Sequence, residues 1–384
     1  MLVDILVSHL KRNIATAGKL RCHFYAWKET NSTKVTPTSE NVCKFVRFTT
    51  LLHFVHVLVL LLFGVVGLSS SPSDKISWVE RIQPILLFIP YIASLVVRME
   101  LSADPACLQL LNEMCQSSER SRRRGEKILA IHAQIFSVIY TLCDAVTILL
   151  PSAMGFLVFL EPCQPPLLGS IILPPRSAFC LPDLGRKTAT VTLVRLGLAT
   201  FEFVILLYIT VIAIFYVIYV LLGGIIFLWE ECTHVFGRST AAFVEYRKLH
   251  VLEKLLNSCI RHRIFPMIAF FCPVVQILSS YLLVELHGHV NWSQLILFST
   301  VFLDVLMLNV TIFSGCATVF KRSRRWLAKV KGEKMSKMNK KMLVSMIPLR
   351  VWFGESFIDG ITPLVIQEFC SLQTMNLLLL KLRN

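Results

Sequence analysis

Long apolar stretches alternate with short polar ones along the chain, and the lengths of the apolar stretches set the first expectation. Between Arg47 and Asp74 no Asp, Glu, Lys or Arg occurs, so residues 49–68 form one clear stretch. Others follow at 128–160, 203–229, 264–284, 295–320 and 361–380. A shorter one at 82–97 contains Pro84 and Pro90 and stops at Arg98. A helix needs roughly 20 apolar residues to cross a bilayer core. The pattern therefore predicts an all-α polytopic membrane protein with seven transmembrane helices. It divides the chain into an N-terminal segment (1–48), a six-span bundle (49–320), a basic segment (321–360) and a last span with a short tail (361–384).

Composition agrees. Of 384 residues, 55% are hydrophobic and 16% charged, with a mean hydropathy of +0.65. Soluble domains carry about 25% charged residues, so a cytosolic enzyme, a disordered scaffold and a coiled coil are excluded. Residues 1–20 do not read as a signal peptide, because Asp4, Ser8 and His9 interrupt the apolar run. The first span is then expected to insert as its own anchor.

The formal charge of +15 acquires meaning from its distribution. Lys and Arg number eight before the first span, and six, six and eleven after spans two, four and six. After spans one, three, five and seven they number two, three, none and two. Basic residues near span ends favour the cytoplasmic side. This places the N-terminus inside and the C-terminus outside. It also directs the charge toward anionic membrane lipids, and nucleic acid is not needed to explain it. A multi-pass protein of the plasma membrane is expected. Of 12 Cys, only Cys163 and Cys180 fall in an assigned external loop, where a disulfide between them would be stable. Asn291-Trp292-Ser293 is a glycosylation sequon in another external loop, with Asn291 the acceptor.

An N-inside layout is opposite to that of a G-protein-coupled receptor. A transporter is the other alternative, but the two repeated halves with broken helices that many transporters show are not visible. No GxSxG, P-loop or HExxH motif occurs, and His53/His56 and His287/His289 lack a second pair at metal spacing. Neither enzyme activity nor a cofactor or metal is expected.

Three stretches carry a family resemblance. They are Glu161-Pro162-Cys163-Gln164-Pro165-Pro166, the segment from Tyr246 to Asn257 before span five, and a C-terminal Thr374-Met375, five residues, then Lys381-Leu382. With the seven-span layout, these resemble the arthropod gustatory receptors of the insect chemoreceptor superfamily. Their last span ends in a TYhhhhhQF-like pattern, from which Met375, Asn376, Lys381 and Leu382 depart. The resemblance implies a ligand-gated, non-selective cation channel, a homo- or hetero-tetramer with other gustatory receptors. The last span of each subunit would line one pore. Cytosolic extensions of spans four to seven would hold the subunits together, and a small-molecule tastant would bind among the outer halves of spans two to six.

The residues suit these roles. A charge inside the membrane costs on the order of 3 kcal/mol, so it usually faces a partner or a wet cavity. Asp144, Arg195, Glu202 and Asp304 lie within spans, and Gln276 and Tyr281 are expected at a similar level; together they are the candidate ligand-binding residues. The competing reading is an interhelical bridge from Arg195 to Asp144 or Glu202. In the last span, Glu368 would gather cations, Thr374 belongs to a polar inner half, and Leu377 or Leu378 would close an apolar gate. Glu368 could instead pair with Lys321, and Lys381 could either snorkel or face the pore. Apolar sequence from 188 to 236 lacks Pro and exceeds a bilayer about twofold, so this helix must tilt or project. Residues 335–352 are expected to form a further helix, with Met338, Met342 and Met346 on one face. It would build an intersubunit anchor or lie on anionic lipid.

Overall fold

A computed structural model describes residues 2–29, 33–69, 78–124, 130–163, 167–173, 189–237, 243–286, 292–332 and 337–383. It is all-α apart from two short hairpins. Among the described residues, six helices are long and apolar enough to cross a membrane: Glu40–Leu62, Gln134–Leu160, Ala189–Phe236, Ile264–Glu285, Phe298–Lys331 and Thr362–Leu380. The expected span at 82–97 is helical too, but its apolar part, Pro84–Arg98, is shorter.

The chain begins with α1 (Leu2–Leu20), whose Leu2, Val3, Leu6, Leu10, Ile14 and Ala17 recur at helical spacing and are buried. Strands β1 (Tyr25–Glu29) and β2 (Thr33–Pro37) pair antiparallel, Tyr25 opposite Pro37. Helices α2 (Glu40–Ser69) and α3 (Trp78–Arg98) follow. Helix α4 (Pro105–Arg124) starts with Pro at its first position, where no amide is missed. Asp104 Oδ1 accepts from the Ala106 amide at 2.9 Å and caps it. Then come α5 (Ala130–Leu160) and the short α6 (Leu168–Ile172). Next, α7 (Ala189–Ile214), a π-helical stretch (Phe215–Leu222) and α8 (Gly223–Phe236) form one unbroken helical course. The last elements are α9 (Phe243–Ile260), α10 (Ile264–Leu286), α11 (Trp292–Lys331), α12 (Lys337–Val344), the β3–β4 hairpin (Trp352–Phe353, Ser356–Phe357) and α13 (Thr362–Arg383).

Contacts fix the directions of the helices. The Arg98–Thr49 bond and the His56–Tyr91 ring contact make α2 and α3 antiparallel. Tyr219 bonded to Asp144 and Gly155 against Phe203 do the same for α5 and the α7 course. Gln276–Asn309 and Phe265–Phe313 do so for α10 and α11. Helix α13 runs parallel to α10, through Gln276–Gln367 and Ser280–Thr374. The amides of Leu2 and Val3 donate to Glu230 at 2.9 and 3.2 Å, and Tyr208 Oη donates to the Leu20 carbonyl at 2.9 Å. Helix α1 therefore runs antiparallel to the long course.

The largest core surrounds that course where α1, α4, α9 and α10 meet it. Every described residue from Ile214 to Leu228 is buried. Close approach there depends on Gly224, where a Cβ would lie 2.4 Å from a Leu256 methyl. Below this core Trp326 stacks between Phe236 and Tyr246, at 5.3 and 4.9 Å.

The expected helix over 335–352 is shorter than its Met spacing suggests. Helix α12 ends at Val344. Pro348 cannot donate an amide and drives Ile347 out of helical backbone. The chain continues extended, and its amides find side chains instead: Leu349 on Ser323 Oγ (3.1 Å), Arg350 on Glu253 Oε1 (2.9 Å) and Trp352 on Asn257 Oδ1 (2.9 Å). Met346 is buried, whereas Met338 is 72% exposed.

Candidate functional site

The polar residues inside the bundle fall into three groups on different elements. The first centres on Glu202 of α7, which is fully buried. Its carboxyl accepts from Tyr91 Oη at 2.9 Å and from the Leu168 amide at 3.2 Å. His56 Nε2 lies 3.7 Å away. The rings of His53 and His56, one turn apart on α2, are 3% and 5% exposed. Neither ring nitrogen of His56 has a hydrogen-bond partner among the described residues, and the Tyr91 backbone lies against the His53 ring. This cluster combines a buried, hydrogen-bonded carboxyl with two buried imidazoles. Arg195 stands half-buried on α7, two turns from Glu202.

The second group holds Asp144 of α5. It takes His9 Nδ1 at 2.7 Å and the Tyr219 hydroxyl at 2.9 Å, with Arg12 at 4.0 Å. Tyr219 is 17 residues beyond Glu202 on one helical course, a rise of about 25 Å. Asp144 and Glu202 therefore cannot contact one small ligand, and Asp144 serves to hold α1.

The third group joins α10, α11 and α13. Asn309 Nδ2 donates to Gln276 Oε1, and Gln276 Nε2 donates to Gln367 Oε1, both at 2.8 Å. Ser280 and Thr374 share a hydroxyl bond at 3.1 Å, and Thr374 also donates to the Cys370 carbonyl at 2.9 Å. Asn309 Oδ1 is buried without a partner among the described residues. Tyr281 sits nearby in an apolar cluster with Ile82, Leu86, Ile89, Val275, Leu282 and Phe298, against which Leu377 and Leu378 also pack. Asp304 is exposed on α11.

Helix α13 presents two faces. Cys370 and Thr374 are buried, and Leu377 and Leu378 half-buried, against the bundle. The opposite face is exposed along its length: Leu364, Glu368, Leu372, Met375 and Leu379. Neither Glu368 nor Lys321 joins an ion pair among the described residues. The side chain of Lys381, the residue Asn291 and the residue Cys180 lie outside the described residues; Cys163 is disulfide-bonded.

Where the helices converge at the base, Glu100 accepts from Tyr25 Oη (3.3 Å), Tyr216 Oη and Arg263. Burial acts to lower the Arg263 pKa, but Glu100 and the nearby tyrosines hold it above its ordinary value. Among the described residues no group of three or more His, Cys, Asp or Glu is placed to hold a metal.

Tyr91, His56, Asn309 and Gln367 are the functional candidates that sequence reasoning undervalued. The i, i+3 spacing of His53 and His56 on an apolar helix was the visible signal for one of them. Tyr91 had none. The chain matches no protein-family model and no curated protein.

Proposed function

We propose that this chain is a subunit of a chemosensory receptor of the gustatory type, in the plasma membrane: a tetrameric, ligand-gated, non-selective cation channel with seven spans, its N-terminus inside and its C-terminus outside. The observation that carries the reading is the exposed face of α13. A spanning helix that turned Glu368 to lipid would bear a cost on the order of 3 kcal/mol. Four copies around an axis would give Glu368 water and give Leu372, Met375 and Leu379 neighbouring subunits or a narrow lumen. Apolar constrictions of that kind close by dewetting, and closed rotational symmetry is the usual form of a homo-oligomer.

The Glu202 group is the recognition centre in this reading. A small organic tastant bearing hydroxyl or amine groups would compete with Tyr91 for the carboxyl and satisfy the His56 nitrogens. The Gln276–Gln367 and Ser280–Thr374 bonds would couple the bundle to α13. Moving such a channel from 1:99 to 99:1 open takes about 5.5 kcal/mol of differential binding, which four weak sites can share.

The test is reconstitution of the purified protein in nanodiscs and planar bilayers, with a panel of sugars and bitter compounds. Four-fold particles that pass cations, with selectivity altered by Glu368→Gln, are expected. A monomer that is electrically silent to the whole panel overturns the proposal.

A further inference from the structure

We propose that a cavity at the inner end of α3 is a binding site for one chloride ion. The cavity, of about 10 Å³, is lined by residues that include Cys22, His23, Val46, Arg98, Ile212 and Tyr216. That space suits one water-sized or monatomic occupant.

Its wall is built for negative charge. Arg98 is 4% exposed. Its Nη2 donates to Thr49 Oγ1, while its Nε has no partner among the described residues. No carboxylate pairs with it among the described residues. Glu100, two residues on, is already engaged by Arg263, Tyr25 and Tyr216. His23 is 3% exposed, and neither of its ring nitrogens has a partner among the described residues.

The flanking Cys22 and His23 are both neutral at physiological pH. Burial, helped by the Arg98 charge, pulls the His23 pKa down to about 3. Burial pushes the Cys22 thiol up to about 12. The His23 ring thus offers one N–H, and the guanidinium is the one formal charge on the wall. A buried cation without a counter-charge is expensive. Water would satisfy the donors but leave the charge, and polyatomic anions exceed the space. Chloride supplies both. The bound ion would join the turn between α1 and β1, α3 and the π-helical stretch.

The test compares melting of the purified protein in detergent in sodium chloride and in sodium gluconate at equal ionic strength. Chloride should raise the Tm saturably, by about 2 °C once it exceeds its Kd tenfold. Arg98→Gln should remove the difference. Should Arg98→Gln fail to fold, bromide-exchanged crystals of the wild-type protein decide: an anomalous peak between Arg98 and His23 is expected. Equal melting in both salts, a chloride effect that persists in Arg98→Gln, or non-anomalous density from water at the site would each overturn the proposal.

Discussion

Gln276 donates its side-chain amide to Gln367 at 2.8 Å, and through this bond α13 is tied to α10. Interhelical polar bonds in membranes are worth about 0.6 kcal/mol on average, and up to about 1.7 kcal/mol. Gln367→Leu should therefore shift the closed–open equilibrium by roughly threefold, and at most about eighteenfold, if the bond forms in one state alone. Dose–response curves from whole-cell recording measure the shift. Identical curves would show that the bond is indifferent to gating.

Tyr91→Phe removes a buried donor to Glu202 and leaves the ring in place. A hydrogen bond to such a group is worth about 1.5–3 kcal/mol. We expect a lower Tm and an altered half-maximal tastant concentration, with Glu202→Gln changing ligand preference as well. Thermal melting and recordings on the same variants separate the two effects.

Glu100 sits between three donors, of which Arg263 is the charged one. Glu100→Ala strands a largely buried guanidinium, at a cost of about 3–5 kcal/mol. The double variant Glu100→Met/Arg263→Met should recover much of that loss. Comparing Tm across the cycle checks it.

Gly169 of α6 lies against the Pro162 carbonyl, and a Cβ there would fall 1.9 Å from that oxygen. Gly169→Ala must displace backbone and should cost about 1–3 kcal/mol. Gly197 of α7 has open space around its missing Cβ, so Gly197→Ala should be tolerated. Melting the two variants side by side tests the contrast.

Asp359 opens α13 by accepting from the Ile361 and Thr362 amides at 3.0 and 2.9 Å. Hydrogen bonds from the Thr362 hydroxyl and from these amides hold its pKa below the usual value. A lowered carboxyl pKa means that the stabilisation is fully present above the ordinary Asp range and is lost as pH falls through the folded value. Hydrogen exchange at residues 361–366 should therefore quicken in acid once intrinsic rates are divided out, and Asp359→Ala should show the fast rate at neutral pH.

Much of this architecture could be read from residue order alone. Absence of charge over 49–68 or 203–229 is a direct statement about cost in lipid, and helices stand at each of those places. Over 335–352 periodicity is not enough: Met338, Met342 and Met346 fit a helical face, whereas Pro348 decides where the helix can run. The polar groups show a different limit. Spacing along a helix gives depth, but not which neighbour a side chain turns toward. Asp144 and Glu202 are both acids within apolar stretches, yet one meets His9 and Tyr219 and the other Tyr91 and Leu168. Tyr91 and Asn309 carry no sequence signature of their partnerships, which arise only once α2, α3, α7, α10, α11 and α13 are assembled.

The helical course from Ala189 to Phe236 is one continuous rod. Glu202 is gripped near one end and Glu230 near the other, with no loop between them to absorb a twist. At the second, the leading amides of α1 rest on the Glu230 carboxyl. The wider π turns at Phe215–Leu222 set its pitch: each residue there advances the rod less and turns it less than in the α-helix on either side, so inserting or deleting one residue in that stretch would put Tyr216 and Tyr219 out of phase with Glu100 and Asp144.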